Sequence, residues 1–337
     1  MKQVVFILLS ALSLSSYSQD INFSQFYELP LLRNPALAGI FKGDIRITSA
    51  YRNQWSSVTV PYKTEALGVE IKRAVSEYDY LVLGMQLTND VAGDSKMGRT
   101  QFLPVIAFNK SLSKESSTYI TLGFSGGAVQ QRFDPTDLKF DDQFVNGSYS
   151  ASNPTQQTFH LTSRLFWDAN VGISLSSSLG NTAFYLGGAY FHLTNPAVAF
   201  NPDNEIRLNR KIMINGGISI PYNQLDKLIG YADFFQQGGS RQGQGGLMCK
   251  HDFAGTEYQG ETIGFSGGCF YRWNDAVIPV IKFDYYKLGV GLSYDINISK
   301  LRTASQLRGA FELTMVYRGY FNNINSSVEK VQCPKFY

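Results

Sequence analysis

The sequence predicts an all-β protein, a transmembrane outer-membrane β-barrel of about 14 antiparallel strands. Three observations carry that expectation: a secretory leader, an aromatic-rich composition with no run long enough for a membrane helix, and period-two alternation of apolar and polar residues. Each constrains the others.

The leader comes first. Lys2 is a short basic start, Val4 to Leu14 an apolar run, and Ser16-Tyr17-Ser18 a small-residue site. About ten apolar residues are too few to span a bilayer, so residues 1–18 read as a removable signal peptide that leaves Gln19 at the new terminus. No cysteine lies nearby, which speaks against a lipid anchor. The remaining chain, out of 337 residues, has the length of two ordinary domains or of one large barrel, and no Pro/Ser-rich linker divides it.

Composition narrows the class. The chain is 44% hydrophobic and 14% aromatic, yet mean hydropathy is −0.14 and nothing after Leu14 approaches the roughly 20 apolar residues of a membrane helix. An exported, aromatic-rich chain without helical spans suits a barrel, because strands cross a membrane only when closed on themselves. Composition alone leaves a periplasmic or extracellular β-sandwich open. With 30 basic and 27 acidic residues the net charge is +3, which points to no nucleic acid and no acidic partner. Cys249, Cys269 and Cys333 are odd in number, so no pairing is fixed, and their spacing fits no metal knuckle.

The first element after the leader is not a strand. Residues 19–43 contain Asn34-Pro35, which stops regular pairing, and Gly39, which allows a tight turn. They read as a plug-like or periplasmic segment in or against the periplasmic mouth. The barrel follows over 44–320 and a periplasmic tail over 321–337. In Asp44–Tyr51, Ile45 and Ile47 alternate with Asp44, Arg46 and Thr48; in Glu65–Arg73, Leu67, Val69 and Ile71 alternate with Gly68, Glu70 and Lys72. The same period runs through Tyr80–Thr88, Thr118–Gly126, Asn170–Ser176, Lys211–Ile220 and Leu288–Asp295. Further candidates are Gln101–Lys110, His160–Trp167, Ala183–His192, Ile229–Phe235, Gly245–His251, Thr262–Trp273, Val277–Tyr285 and Gly309–Tyr317. Interior pairs such as Gly187-Gly188 and Gly216-Gly217 read as bends in a curved wall.

Aromatics near the strand ends read as interfacial girdles, among them Tyr51, Trp55, Tyr78, Tyr80, Trp167, Tyr190, Tyr271, Trp273, Tyr285, Tyr286, Tyr317 and Tyr320. Two polar stretches dense in turn residues, Gln130–Gln157 and Asn195–Asn209, read as loops, the first as a surface loop. Chemistry is sparse. His160 and His192 are each followed two residues on by a threonine rather than a nucleophilic serine, and satisfied or loop histidines are the simpler reading. Asp134, Asp137, Asp141 and Asp142 lack the glycine punctuation of a calcium loop. Gly238-Gly239 with Arg241 lacks the ending and setting of a phosphate loop and reads as a hairpin. No catalytic, cofactor or metal site is expected.

Two blocks carry a family resemblance. The first is Phe23-Ser24-Gln25-Phe26-Tyr27, Leu31-Leu32-Arg33-Asn34-Pro35-Ala36 with Ala38-Gly39, and Tyr51-Arg52-Asn53-Gln54-Trp55. The second runs from Gly289-Val290-Gly291-Leu292-Ser293-Tyr294-Asp295 through Ser299-Lys300-Leu301 and Ala304-Ser305 to Gly309-Ala310-Phe311-Glu312, with Cys333-Pro334-Lys335-Phe336 as its tail. Together they resemble the PorP/SprF proteins, outer-membrane barrels of the type IX secretion and gliding machinery of the Bacteroidetes. The resemblance implies a noncatalytic barrel that contacts type IX components at the periplasmic face, or helps export and anchor a large secreted adhesin through its C-terminal domain.

Plug or partner contacts are expected from Phe23, Gln25, Arg33, Asn34, Pro35, Arg52, Gln54, Trp55, Lys300 and Arg302. Arg52, Asn53 and Gln54 are placed to hydrogen-bond the segment, with Trp55 at the interface. The polar bend Tyr294–Gly309 reads as either a periplasmic turn or a contact surface. A structural plug and a partner-binding element both remain open for the N-terminal segment. The rivals are an outer-membrane porin or substrate-specific channel, and an enzyme for which no converging nucleophile and base are visible.

Overall fold

A computed structural model describes residues 20–55, 60–113, 118–145, 147–150, 152–256, 261–300 and 306–321. The leader, Arg302, Cys333 and the tail beyond Phe321 lie outside the described residues. The strands are β1 (Ile45–Gln54), β2 (Tyr62–Ala74), β3 (Tyr80–Ala92), β4 (Met97–Ser111), β5 (Tyr119–Arg132), β6 (Phe144–Val145), β7 (Ser148–Tyr149), β8 (Ser163–Leu179), β9 (Thr182–Phe191), β10 (Lys211–Pro221), β11 (Asp226–Gln237), β12 (Ser240–Asp252), β13 (Ile263–Arg272), β14 (Ala276–Tyr285), β15 (Leu288–Asn297) and β16 (Arg308–Gly319). Fourteen of them form a closed antiparallel barrel; β6 and β7 are a small separate hairpin. Closure is made by β1 on β16, from Ile45 opposite Gly319 to Gln54 opposite Ala310. A sandwich is thereby excluded.

The wall is inside-out relative to a water-soluble protein. On β10, Ile212 and Ile214 are 54% and 52% exposed while Asn215, facing the lumen between them and Gly217, is 1% exposed. Around the barrel the exposed residues are apolar and the buried ones include Glu70, Lys72, Asp233, Lys282, Asp295 and Glu312. Such a wall is stable only if its outer face meets lipid and its inner face finds polar partners. No described helix is long and apolar enough to cross a membrane.

Several expectations need correction. His160–Trp167 and Asn170–Ser176 are one strand, β8, because Asp168 and Asn170 both point inward and the alternation passes through Ala169 unbroken. His160 itself lies exposed in the preceding loop. The polar stretch from Gln130 begins inside β5, which runs to Arg132. Tyr80 is not a girdle residue; it faces the lumen, 6% exposed, against Tyr119. Trp167 and Trp273, at 68% and 69% exposed, do stand on the outer face.

The two barrel ends differ. One, the terminal end, carries the start of β1, the end of β16 and the tight turns 180–181 and 286–287. The other, the loop end, carries the connections 133–162, 192–210 and 298–307. The bend containing Lys300 therefore lies at the barrel end opposite the start of β1 and the end of β16, because β15 runs away from that terminal end.

Residues 20–43 are inside the barrel and are not confined to a mouth. They run from the loop end, where Asp20 meets Arg99, His192 and Lys211, to the terminal end, where β1 starts. Short turns at Phe26–Glu28, Pro30–Arg33 and Pro35–Leu37 keep the chain compact. Phe23, Phe26, Leu29, Ala36, Ala38 and Phe41 are each 3% exposed or less. The protein's core is this segment packed against the inner wall.

Candidate functional site

The segment is held by its polar residues, each of which meets a partner on the wall. The Glu312 carboxylate accepts the backbone N–H of Ser24 at 2.7 Å and of Gln25 at 2.6 Å, and Arg52 donates to it at 3.1 Å. Arg52 also donates to Asp295 at 2.8 Å and to the Ser24 hydroxyl, and Arg272 reaches Asp295 at 3.0 Å and Ser24 at 2.6 Å. Two guanidinium groups and two carboxylates thus balance around one serine. Deeper in, Glu28 pairs with Lys282.

Arg33 makes a two-pronged pair with Asp233, its Nε donating at 2.8 Å, and its Nη1 donates to the Tyr185 hydroxyl at 2.8 Å. Both charged side chains are essentially out of solvent, at 5% and 0% exposure, and the Arg33 guanidinium lies 5.0 Å from the Phe26 ring centroid. Next to it, Tyr27 is sandwiched between Tyr231 at 4.8 Å and Phe270 at 5.0 Å.

Asn34 and Pro35 form the tightest contact with the wall. The Asn34 Oδ1 accepts the Ala36 N–H at 2.8 Å, and its Nδ2 donates to the carbonyls of Ile173 and Gly188 at 3.3 and 3.2 Å. The wall here has glycine on three adjoining strands. A Cβ on Gly172 would stand 1.8 Å from Asn34 Oδ1, and one on Gly123 would stand 2.3 Å from the Pro35 carbonyl carbon. At the terminal end Glu70 pairs with Arg46 at 2.7 Å and accepts the Gly39 N–H at 3.0 Å, and Gly39 takes φ +81°. Cavities of only about 20 Å³ remain on either side of Arg33, room for about one water each.

The model of the PorP/SprF family, the type IX secretion system membrane protein, matches residues 15–317. The chain belongs to this family. No curated protein matches it. Among solved structures it is similar to the toluene transporter TbuX of Ralstonia pickettii, at 8% identity and TM-score 0.48 over 86% of this chain and 92% of that one. A FadL homologue of Pseudomonas aeruginosa is similar at 9% identity and TM-score 0.47, over 84% and 92%.

In this PorP/SprF barrel the two sequence blocks meet. Ser24 and Gln25 from the first bond Asp295 and Glu312 from the second, and Arg52 bridges them. Phe23, Gln25, Arg33, Asn34, Pro35 and Arg52 come together in the lumen. The others do not join them. Asn53 turns outward, Gln54 ends β1, Trp55 packs edge-on against Tyr62 at 4.9 Å, and Lys300 is exposed in its turn. Cys249 and Cys269 are free and on the outer face. Among the described residues no group of ligating side chains could hold a metal.

Sequence reasoning missed the clasp at the loop end. The His192 Nδ1 faces Asp168 at 2.6 Å and its Nε2 faces Asp20 at 2.8 Å, while Arg99 donates to Asp20 at 2.8 Å. Burial works against charge on His192, yet Asp20 and Asp168 lift its pKa from 6.5 to about 9. Burial likewise opposes charge on Asp20, but His192, Lys211 and Arg99 hold its carboxyl well below the usual range. A folded pKa above 6.5 means the stabilisation from His192 is complete below about pH 6.5 and is lost as pH rises through about 9. The melting midpoint of the detergent-solubilised barrel is therefore expected to decline over this window, and His192→Gln to lack that component. Parallel declines in the two proteins would remove His192 from the clasp.

Proposed function

We propose that this protein is a noncatalytic outer-membrane barrel of the type IX secretion and gliding machinery, which binds apparatus components or helps export and anchor a particular surface adhesin. The filled lumen is the observation that supports this reading. A pore works through an open cross-section, whereas here residues 20–43 occupy it with buried side chains and wall-bonded backbone. That arrangement favours a barrel that acts through its surfaces over the rival reading of a porin or substrate-specific channel.

Connection lengths orient the reading. Outer-membrane barrels keep short turns in the periplasm and longer loops outside, a pattern that supports a terminal end facing the apparatus and a 133–162 loop at the cell surface. Noncatalytic action fits His192, whose two ring nitrogens are both engaged by carboxylates.

The test is deletion of the gene followed by proteomics of the cell surface and the medium. A specific surface protein is expected to be retained inside the cell or released. An unchanged set of exported proteins sinks the proposal, and a steady ion current through the wild-type barrel in a planar bilayer would replace it with the channel reading.

A further inference from the structure

Three cations from separate points on the loop-end mouth converge on one carboxylate. Arg99 belongs to β4, His192 follows β9 and Lys211 opens β10. Their charged atoms lie 2.8, 2.8 and 3.6 Å from the Asp20 carboxylate, and their side chains are 12%, 4% and 7% exposed. The mouth also grips the backbone next to this carboxylate: the Asp20 N–H donates to the Gln237 carboxamide at 3.0 Å, and the Asn22 and Gln244 amides pair at 3.3 and 3.4 Å. An acid side chain, its own N–H and an amide two residues on are all features of a peptide.

The site is only partly used. Arg99 engages Asp20 through Nη1 alone, while its Nε and Nη2 are buried with no hydrogen-bond partner. Those two donors are one fork of the guanidinium, the geometry that takes a carboxylate in two parallel bonds. Asp168 is committed to His192, and Asp90, which adds its charge near Arg99, is bonded to Thr64. The occupying residues sit at the less embedded start of the plug. Asp20, Ile21 and Asn22 are half-buried, whereas every residue of the next stretch, 23–31, is buried.

We propose that Arg99, His192 and Lys211 form a carboxylate-binding site at the loop-end mouth, occupied in cis by Asp20 and open to an acidic peptide segment that displaces residues 20–22. Exchange of one carboxylate for another leaves the charge of the mouth unchanged. The exchange leaves the rest of the plug seated, because Arg33, Asn34 and Glu28 have separate partners deeper in the lumen. Asp20 competes from within the same chain, and a short tether gives it an effective concentration of about millimolar order, so it suppresses weaker outside ligands.

The experiment uses the full barrel in detergent and a fluorescent hexaglutamate peptide. Asp20→Asn, which keeps the shape and removes the competing charge, is expected to bind the peptide at least about tenfold more tightly than wild type. Adding Arg99→Gln and Lys211→Gln to that variant is expected to abolish the gain, and hexaglutamine is expected not to bind. A folded Asp20→Asn barrel that binds hexaglutamate no better than wild type, or binds hexaglutamine equally, overturns the proposal. Should Asp20→Asn not fold, Asn22→Cys in a chain whose Cys249, Cys269 and Cys333 are replaced by serine supplies the reading. Saturating hexaglutamate is expected to speed its labelling by a water-soluble maleimide, and unchanged labelling overturns the proposal.

Discussion

Replacing Arg33 by methionine is expected to destabilise the folded barrel by about 3–5 kcal/mol, the loss that follows when one partner of a buried ion pair is removed. The cost arises less from the missing attraction than from what remains. Asp233, with its side chain at 0% exposure, keeps a carboxylate that has lost both prongs of the Arg33 guanidinium, and Tyr185 loses the donor at 2.8 Å. Methionine fills similar space beside Phe26, so packing alone changes little. Arg33→Met with Asp233→Leu is therefore expected to recover most of the loss, since a buried pair exchanged for apolar residues is often close to neutral. Lysine in place of Arg33 is expected to fail partly, because a point charge cannot reproduce the fork. Heat-modifiable migration and a urea midpoint in detergent measure all of these. An Arg33→Met barrel as stable as wild type would mean that this pair does not hold the plug.

What the sequence made legible, and what it hid, follows from the range of the interactions. The wall is encoded locally: in Lys211–Ile220 the outward isoleucines and the inward Asn215 follow from neighbours two residues apart, and the alternation survives in the closed barrel. Asn34-Pro35 likewise announces a break by its own chemistry. The lumen contacts are another matter. Ser24 meets Asp295 across 271 positions, and His192 meets Asp20 across 172, so no spacing rule points from one to the other. Charged residues on the inner face of late strands, such as Lys282, Asp284, Asp295 and Glu312, were the available signal of a charged lumen. Glycines were ambiguous for the same reason. Gly187 reads as a bend in isolation, yet a Cβ there would come within 2.6 Å of Asn215 and 2.8 Å of Asn34, so its absence makes room for the plug.

That ambiguity supplies the most telling substitution. Gly123→Ala is expected to open the barrel to ions. The added methyl would stand 2.3 Å from the Pro35 carbonyl carbon and 2.4 Å from the Ala36 nitrogen, and these are backbone atoms that no rotamer change can move aside. Alanine is compatible with a regular strand, and Gly123 sits in register between Ala107 on β4 and Gly172 on β8, so the wall itself has no reason to fail. The plug must lift instead. Lifting breaks the Asn34 bonds to Ile173 and Gly188 and the Ser174 bond to the Ala36 carbonyl at 2.7 Å. Gly172→Ala makes the informative contrast, because its closest clash, at 1.8 Å, is with the Asn34 side chain and not with backbone. Asn34→Ala is therefore expected to relieve Gly172→Ala and to leave Gly123→Ala unrelieved, a coupling that only direct contact explains. Single-channel recording in planar bilayers reads each variant: silent wild type, current through Gly123→Ala and Gly172→Ala, and current falling when Asn34→Ala is added to the latter. Folded Gly123→Ala barrels that stay as silent as wild type would show that the plug does not need this glycine floor to remain seated.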